Sequence, residues 1–236
     1  MTRLILSVPV QLGDIVKISG DEHHYLSRVR RHRTGDRVLV SGRDGRNFEA
    51  RIEAIGKKEA ALVIEGETVG FRGPPVTVAV AVPKRNLMDD VVRKLSEIGV
   101  LRLVPLVAKR SAVVPSEDRT ERWRRIADEA RRQCGRDASL IVDDAVPFFS
   151  FILDEALPAH RLLLHPSGGA GLPRRVPTTG AVVLAIGPEG GFCEEERVAA
   201  AARGFEAVSL GMPVLRVETA AVAAAVLAVA LRDDNV

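Results

Sequence analysis

The chain has 236 residues and a formal net charge of +3, and 46% of its residues are hydrophobic although only 4% are aromatic. This length suits one large domain or two small ones, with a core packed mainly by aliphatic side chains. The longest apolar run, residues 219–231, is shorter than the roughly 20 residues that cross a bilayer. Because no CxxC pair and no signal-peptide pattern are present, we expect a cytoplasmic protein with no membrane partner.

Arginine carries most of the positive charge, with 28 arginines against 6 lysines. The planar guanidinium matches the geometry of phosphate, so an arginine cluster indicates contact with a nucleic-acid backbone. The alternative is a solvated face that binds nothing. One such cluster lies near the N-terminus and contains Arg28, Arg30, Arg31, Arg33 and Arg37.

Short β-type runs separated by turn signals occupy residues 1–68, among them DRVLV, NFEARIEAI and AALVIE. They predict a small β-barrel. The Gly- and Pro-containing segment GETVGFRGPP, residues 66–75, is predicted to be a linker. We therefore expect one domain over residues 1–70 and a second over residues 75–236.

Strands and helices alternate from residue 75 onward, which is typical of an α/β domain. A helix is predicted over residues 84–98, because Leu87, Val91, Leu95 and Ile98 recur at helical spacing and Gly99 follows.

A second amphipathic helix is predicted from Ser116 to Gly135, with an apolar stripe that begins at Trp123 and ends at Cys134. Its other face is rich in arginine. That face either follows RNA, with Arg125 and Arg132 as contacts, or is a solvated face paired with neighbouring carboxylates.

The sequence VVLAI-GPEGGF-EEERVAAAA, from Val182 onward, predicts a strand, a glycine-rich loop and a helix. Glycines at 187, 190 and 191 allow positive φ and close approach of a ligand. The glutamates at 194–196 already complement the helix dipole and would repel a polyphosphate, so a neutral or cationic ligand fits better. No GxxxxGK[ST] segment supports a kinase or nucleotide hydrolase. The alternative is a tight connection with no ligand.

A second junction of this kind, LGMPVLRVETAAVAAAVLAVAL, covers residues 210–231. With both loops in view, the chain resembles the RsmE-type ribosomal RNA methyltransferases of the SPOUT superfamily. The resemblance spans nearly the whole chain, because EHHYLSRVRRHRTGD, KLSEIGV, KRS, RWRRIADEARRQCGR and RLLLHP occur in the family's order.

The resemblance implies an N-terminal PUA-like β-barrel followed by a SPOUT α/β domain with a C-terminal trefoil knot. It implies a homodimer that uses S-adenosylmethionine, without a metal, to methylate N3 of a specific uridine in small-subunit (16S) ribosomal RNA. The substrate is either the RNA or the assembled small subunit. The rival hypothesis is a non-catalytic RNA-binding protein of the ribosome.

By the same resemblance, three segments line the cofactor pocket. His165 is also open to a second interpretation, as a packed residue at a strand end. The predicted cofactor residues are Leu164, His165, Pro166, Gly187, Pro188, Glu189, Gly190, Gly191, Leu210, Gly211, Leu215, Glu218, Thr219 and Ala220.

Methylation at N3 requires loss of a weakly acidic proton, so a base or a stabilising positive charge is expected. The candidates are Glu189 as the base, with Arg136 and Arg216 as cations that stabilise or position the uracil. An ion pair with a neighbouring carboxylate is the alternative for Arg136. A structural pair with Glu218 is the alternative for Arg216.

Overall fold

The computed structural model describes residues 2–6, 8–42, 46–68, 75–84, 86–134, 139–211 and 213–232. The chain divides into two compact units. The first comprises Met1–Arg72 and Arg132–Ala138, and the second comprises Gly73–Arg131 and Ser139–Val236. No helix among the described residues is long and apolar enough to cross a membrane. The predicted Arg136 lies outside the described residues.

The first unit is built on a five-stranded sheet in the order β1-β3-β4-β5-β2, in which only the β1/β3 pair is parallel. Inward-facing aliphatic residues and Phe48 form its core. Its strands are β1 (Arg3–Ile5), β2 (Ile15–Ser19), β3 (Arg37–Ser41), β4 (Asn47–Ile55) and β5 (Glu59–Thr68).

The three β-type runs read from the sequence correspond to β3, β4 and β5. The linker prediction is wrong over residues 66–68, because β5 continues to Thr68. Gly66 pairs with Glu49 beside a register shift in the β4/β5 ladder, so this glycine accommodates an irregularity within the strand instead of ending it.

A short helix, α1 (Gly20–His24), follows β2 and continues into a π-helical turn (Tyr25–Val29). The turn ends near Arg31, whose φ of 55° is unusual for a residue with a side chain. His32 fixes the segment, because its ring nitrogens bond Asp36 at 2.9 Å and Thr2 at 2.6 Å. The arginine cluster is thus carried by an ordered connection between β2 and β3.

The second unit contains a parallel sheet in the order β11-β13-β10-β12-β6-β7-β8, with β9 also paired to β7. The central strands are buried on both faces, which explains their continuous apolar sequences. In chain order the elements are β6 (Val76–Ala81), α2 (Leu87–Ile98), β7 (Arg102–Val107), α3 (Glu117–Cys134, whose last turn is assigned to the first unit), β8 (Ile141–Val142), β9 (Val146–Pro147), α4 (Phe148–Ile152), β10 (His160–Leu164), β11 (Ala170–Gly171), a 3-10 turn (Leu172–Arg174), β12 (Val182–Ile186), α5 (Glu194–Ala202), β13 (Phe205–Ser209) and α6 (Val217–Ala230).

The helix boundaries follow local signals. Helix α2 begins at Leu87, three residues later than the sequence pattern predicts, and ends at Gly99, whose φ of 112° allows its amide to bond Leu95 O. The apolar stripe of α3 buries Trp123 and Ala130. The stripe does not extend to Cys134, which is exposed, whereas Arg131 is buried in the same turn.

Helix α6 packs against α2 and the strands β6 and β12 through small residues, including Ala221, Ala224, Ala225 and Ala228. Its opposite side leaves Val226 45% exposed. The helix is therefore a core element with one uncovered apolar stripe.

Candidate cofactor pocket and arginine surfaces

A cavity of about 460 Å³ lies in the second unit, at the carboxyl ends of β10, β12 and β13. These strands are parallel, and β10 is hydrogen-bonded to both others, so the loops that follow them meet at one edge of the sheet. The walls of the cavity include most of the predicted cofactor residues: Leu164, His165, Pro166, Gly187, Pro188, Glu189, Gly190, Gly191, Leu210, Leu215 and Ala220.

Three predicted cofactor residues between the end of β13 and the first turn of α6 do not line the cavity: Gly211, Glu218 and Thr219. Arg216 is the exposed N-cap residue of α6 and is also outside the lining. Its side chain has no hydrogen bond or ion pair within the described residues, so the alternative pairing with Glu218 does not form.

The GPEGG loop turns tightly, with the Gly191 amide 2.8 Å from Pro188 O. Only Gly191 has a positive φ, at 67°, whereas the sequence interpretation allowed this at all three glycines. Gly187 and Gly190 instead leave space for the neighbouring residues Phe192 and Arg110. A Cβ at residue 187 would lie 3.1 Å from Phe192, and one at residue 190 would lie 3.2 Å from Arg110 Cδ.

The KRS segment after β7 holds this loop from the side. Arg110 Nη1 donates to Gly190 O at 2.7 Å, and the Arg110 side chain lines the cavity. The Lys109 amide donates to Glu196 at 2.7 Å, while its ammonium pairs with Glu195. That ion pair raises the pKa of Lys109. From the sequence, KRS is only a family motif, and its role in the pocket was not predicted.

The three glutamates that begin α5 all have partners. Glu196 is fully buried, and its second oxygen accepts from the Cys193 amide at 2.8 Å, which completes a capping box. Glu194 pairs with Arg197, one turn later on α5. These carboxylates therefore organise the helix start as well as its electrostatics.

His165 lies at the pocket wall between two groups that carry N–H donors. Arg197 Nη1 lies 3.1 Å from Nε2, and the Ser167 amide lies 3.2 Å from Nδ1. Burial lowers the pKa of His165, and the Arg197 charge lowers it further. A neutral imidazole accepts a hydrogen bond at only one nitrogen, so one tautomer cannot accept from both Arg197 and the Ser167 amide. The lowered pKa disfavours protonation, which suits the ring to an uncharged role at the pocket wall. Arg197 was missed by the sequence analysis.

Gly168 is a second missed position. A Cβ there would lie 2.4 Å from the carbonyl carbon of Val208. The His165 amide bonds the Val208 carbonyl at 2.9 Å, so the loop after β10 runs against the end of β13.

The arginines predicted to bind RNA differ in their environments. Arg28 and Arg31 are exposed and have no partner within the described residues. Arg30 lies over the Tyr25 ring and donates to its hydroxyl at 2.9 Å. Arg125 on α3 is exposed, whereas Arg132 pairs with Glu22 within the first unit at 3.2 Å. Much of the remaining α3 face is paired, as in the contacts of Arg122 and Arg124 with carboxylates.

Comparison with known proteins gives these features a context. A family model described as an RNA methyltransferase domain matches residues 72–229, and one described as an RNA methyltransferase PUA domain matches residues 18–65. A ribosomal RNA small subunit methyltransferase E from Synechocystis is 33% identical over 92% of this chain and 74% of its own length. The homologue of that name from Bacillus subtilis is 26% identical over 86% of this chain and 85% of its own length.

Two solved structures are also similar. A methyltransferase from Legionella pneumophila in complex with its cofactor SAM is 31% identical, covers 98% of both chains and has a TM-score of 0.81. A ribosomal RNA small subunit methyltransferase E from Neisseria gonorrhoeae, bound to S-adenosyl methionine, is 28% identical, covers 95% of both chains and has a TM-score of 0.84.

The fold and these matches define an RNA methyltransferase in which a PUA-like sheet precedes a SPOUT α/β domain. The fold class expected from the resemblance is thereby confirmed, whereas the trefoil knot stays a prediction. The chain belongs to the ribosomal RNA small subunit methyltransferase E family. This membership favours the enzyme over the non-catalytic RNA-binding protein.

Proposed function

We propose that this protein transfers a methyl group from S-adenosylmethionine to N3 of a uridine in small-subunit ribosomal RNA. The observation that carries the proposal is the cavity at the carboxyl ends of β10, β12 and β13, within the domain matched to RNA methyltransferases. The names of the relatives support the ribosomal substrate, and the cofactor-bound neighbours support the methyl donor.

The cavity suits this cofactor in size and chemistry. Its volume is within the roughly 300–1,000 Å³ of small-molecule sites. Glycines and apolar side chains make up much of its lining, which also includes the carboxylate of Glu189, a group that attracts cations. When bound, S-adenosylmethionine supplies a methyl group activated by a sulfonium.

The chain's own residues then have three tasks. The loops hold the two reactants in line and exclude water, which is a large part of catalysis in a displacement between bound reactants. Glu189 is our candidate to accept the N3 proton. Arg216, which is exposed at the start of α6 and has no ion-pair partner among the described residues, and Arg136 are candidates to stabilise negative charge on the uracil.

We propose that the cofactor residues named from the sequence bind S-adenosylmethionine, with Gly211, Glu218 and Thr219 contributing from beside the cavity lining. We assign residues 75–236 to the methyltransferase domain. Residues 1–70 form the RNA-binding domain in this proposal, with Arg28, Arg30 and Arg31 contacting phosphate and Arg125 and Arg132 as further contacts. We also propose a knotted, homodimeric cytoplasmic enzyme. The exposed stripe of α6 supports a subunit contact.

The test is transfer of a labelled methyl group from S-adenosylmethionine to small-subunit RNA and to assembled small subunits. Mass mapping of the product should show one N3-methyluridine. Transfer to carbon, to a ribose hydroxyl or to another base would overturn the assignment of N3, and absence of transfer to either substrate would contradict the proposed reaction.

A further inference from the structure

Four charged side chains line the cavity, two acidic and two basic: Arg110, Glu189, Glu194 and Arg197. Two of them neutralise each other, because Glu194 forms an ion pair with Arg197. Arg197 also bonds His165, whose lowered pKa keeps that ring uncharged near neutral pH. The combined electric field of Glu194, Arg197 and His165 inside the cavity is therefore small.

The other two charged side chains, Glu189 and Arg110, have no ion-pair partner among the described residues. Glu189 is exposed, and its only bond within the described residues comes from the backbone amide of Lys84, at 3.2 Å. Arg110 likewise bonds a neutral group, Gly190 O, and has no carboxylate partner in the part of the chain that the structure describes. The cavity wall thus contains a carboxylate whose hydrogen bond comes from a neutral backbone amide, and the Arg110 guanidinium bonds the next loop residue.

A carboxylate that has no ion-pair partner binds a cationic ligand more tightly than a neutral ligand of the same shape. S-adenosylmethionine has a positively charged sulfonium, whereas the product of methyl loss, S-adenosylhomocysteine, has a neutral thioether and otherwise the same groups. Attraction between opposite charges a few ångströms apart in a partly solvated site changes affinity by about three- to tenfold.

We propose that Glu189 is a selectivity residue, which favours the sulfonium cofactor over its thioether product and so assists product release. This inference rests on the proposed function, because it assumes that the cavity holds S-adenosylmethionine. It differs from a role as the base, since it concerns the binding of the cofactor and needs no RNA.

The test is calorimetric titration of the full chain with three ligands: S-adenosylmethionine, S-adenosylhomocysteine and sinefungin, which has a protonated amine in place of the sulfonium. Glu189→Gln keeps the oxygen that accepts from the Lys84 amide but removes the charge. We expect this variant to bind the two cations about three- to tenfold more weakly and the thioether with unchanged affinity.

Two further variants serve as controls. Glu189→Asp retains the charge and should retain the preference for cations. Glu155→Gln changes the net charge equally at an exposed position outside the cavity, and should bind all three ligands like the parent.

The inference is overturned if Glu189→Gln weakens all three ligands equally, because Glu189 would then only shape the loop. It is also overturned if the affinities for the two cations do not change. A parent protein that binds none of the three ligands would instead contradict the proposed function itself, and the two failures are therefore distinguishable.

Discussion

At the scale of single residues, Gly168 shows how closely the loop after β10 approaches β13. A Cβ at this position would lie 2.4 Å from Val208 C and 2.8 Å from the Ser209 amide nitrogen. Gly168→Ala must push the two segments apart, and we expect it to lower the free energy of unfolding by about 1–3 kcal/mol. The corresponding fall in Tm is roughly 2–12 °C, measurable by differential scanning calorimetry.

The neighbouring glycine provides the control. A Cβ at Gly169 would have no atom within 4 Å, so Gly169→Ala should unfold at the parent's temperature. Equal Tm values for the two variants would show that the loop can move away without cost.

His165 gives the pocket a pH-dependent stability. Burial first, and Arg197 second, lower its pKa in the folded protein. The unfolded chain takes up the proton near the ordinary pKa of about 6.5, and the folded chain only at lower pH. The stability linked to His165 is therefore fully present above about pH 6.5 and is lost as the pH falls through the lowered folded pKa.

We expect His165→Gln to reduce the decline in Tm between about pH 7.5 and pH 5, because glutamine does not titrate. Thermal unfolding across this range measures the effect. His160→Gln, which makes the same replacement at an exposed histidine outside the cavity lining, is the matched control. Parallel profiles for His165→Gln and the parent would mean that the ring titrates normally in the folded state.

At the scale of elements, the start of α5 depends on one buried carboxylate. Glu196 accepts from the amides of Lys109 and Cys193. Glu196→Ala leaves two partly buried donors unpaired, and we expect a loss of about 2–4 kcal/mol in the free energy of unfolding, measured by urea titration. Glu195→Ala removes an exposed ion pair with Lys109, which solvent screens, and should cost much less than Glu196→Ala. Similar losses in both variants would refute the distinction.

The elements also show what can be predicted from sequence. The strands β6, β10 and β12, and the loops that follow β10 and β12, could be predicted because apolar runs end near Gly or Pro. The positions of Arg110 and Arg197 in the pocket could not be predicted, because these residues reach it through contacts that sequence spacing does not reveal. Arg110 comes from the loop after β7, two strands away from β12 in the sheet. Two-residue strands such as β8 have too few residues to show a period.

At the scale of the whole molecule, the proposed function divides RNA binding from cofactor binding, and the arginines of the first unit allow a test. Some already have carboxylate partners: Arg37 and Arg51 contact Glu65, and Arg46 contacts Glu67. Arg28 and Arg31 have none within the described residues, and Arg30 is stacked on Tyr25. Unpaired guanidinium groups can bind phosphate without first breaking an ion pair.

We therefore expect a triple variant, Arg28→Ala with Arg30→Ala and Arg31→Ala, to weaken RNA binding and to flatten its dependence on salt. Each lost phosphate contact should reduce the slope of log affinity against log salt concentration by about 0.7–0.9, so three contacts account for about 2–3. Binding at several salt concentrations gives the slope, and calorimetry should show unchanged affinity for S-adenosylmethionine.

The control is a second triple variant, Arg37→Ala with Arg46→Ala and Arg51→Ala. It has the same change in net charge but loses arginines that are already paired, and its slope should fall much less. An equal fall in both triples would mean that only total charge matters, and an unchanged slope in the first would make its arginines a solvated face.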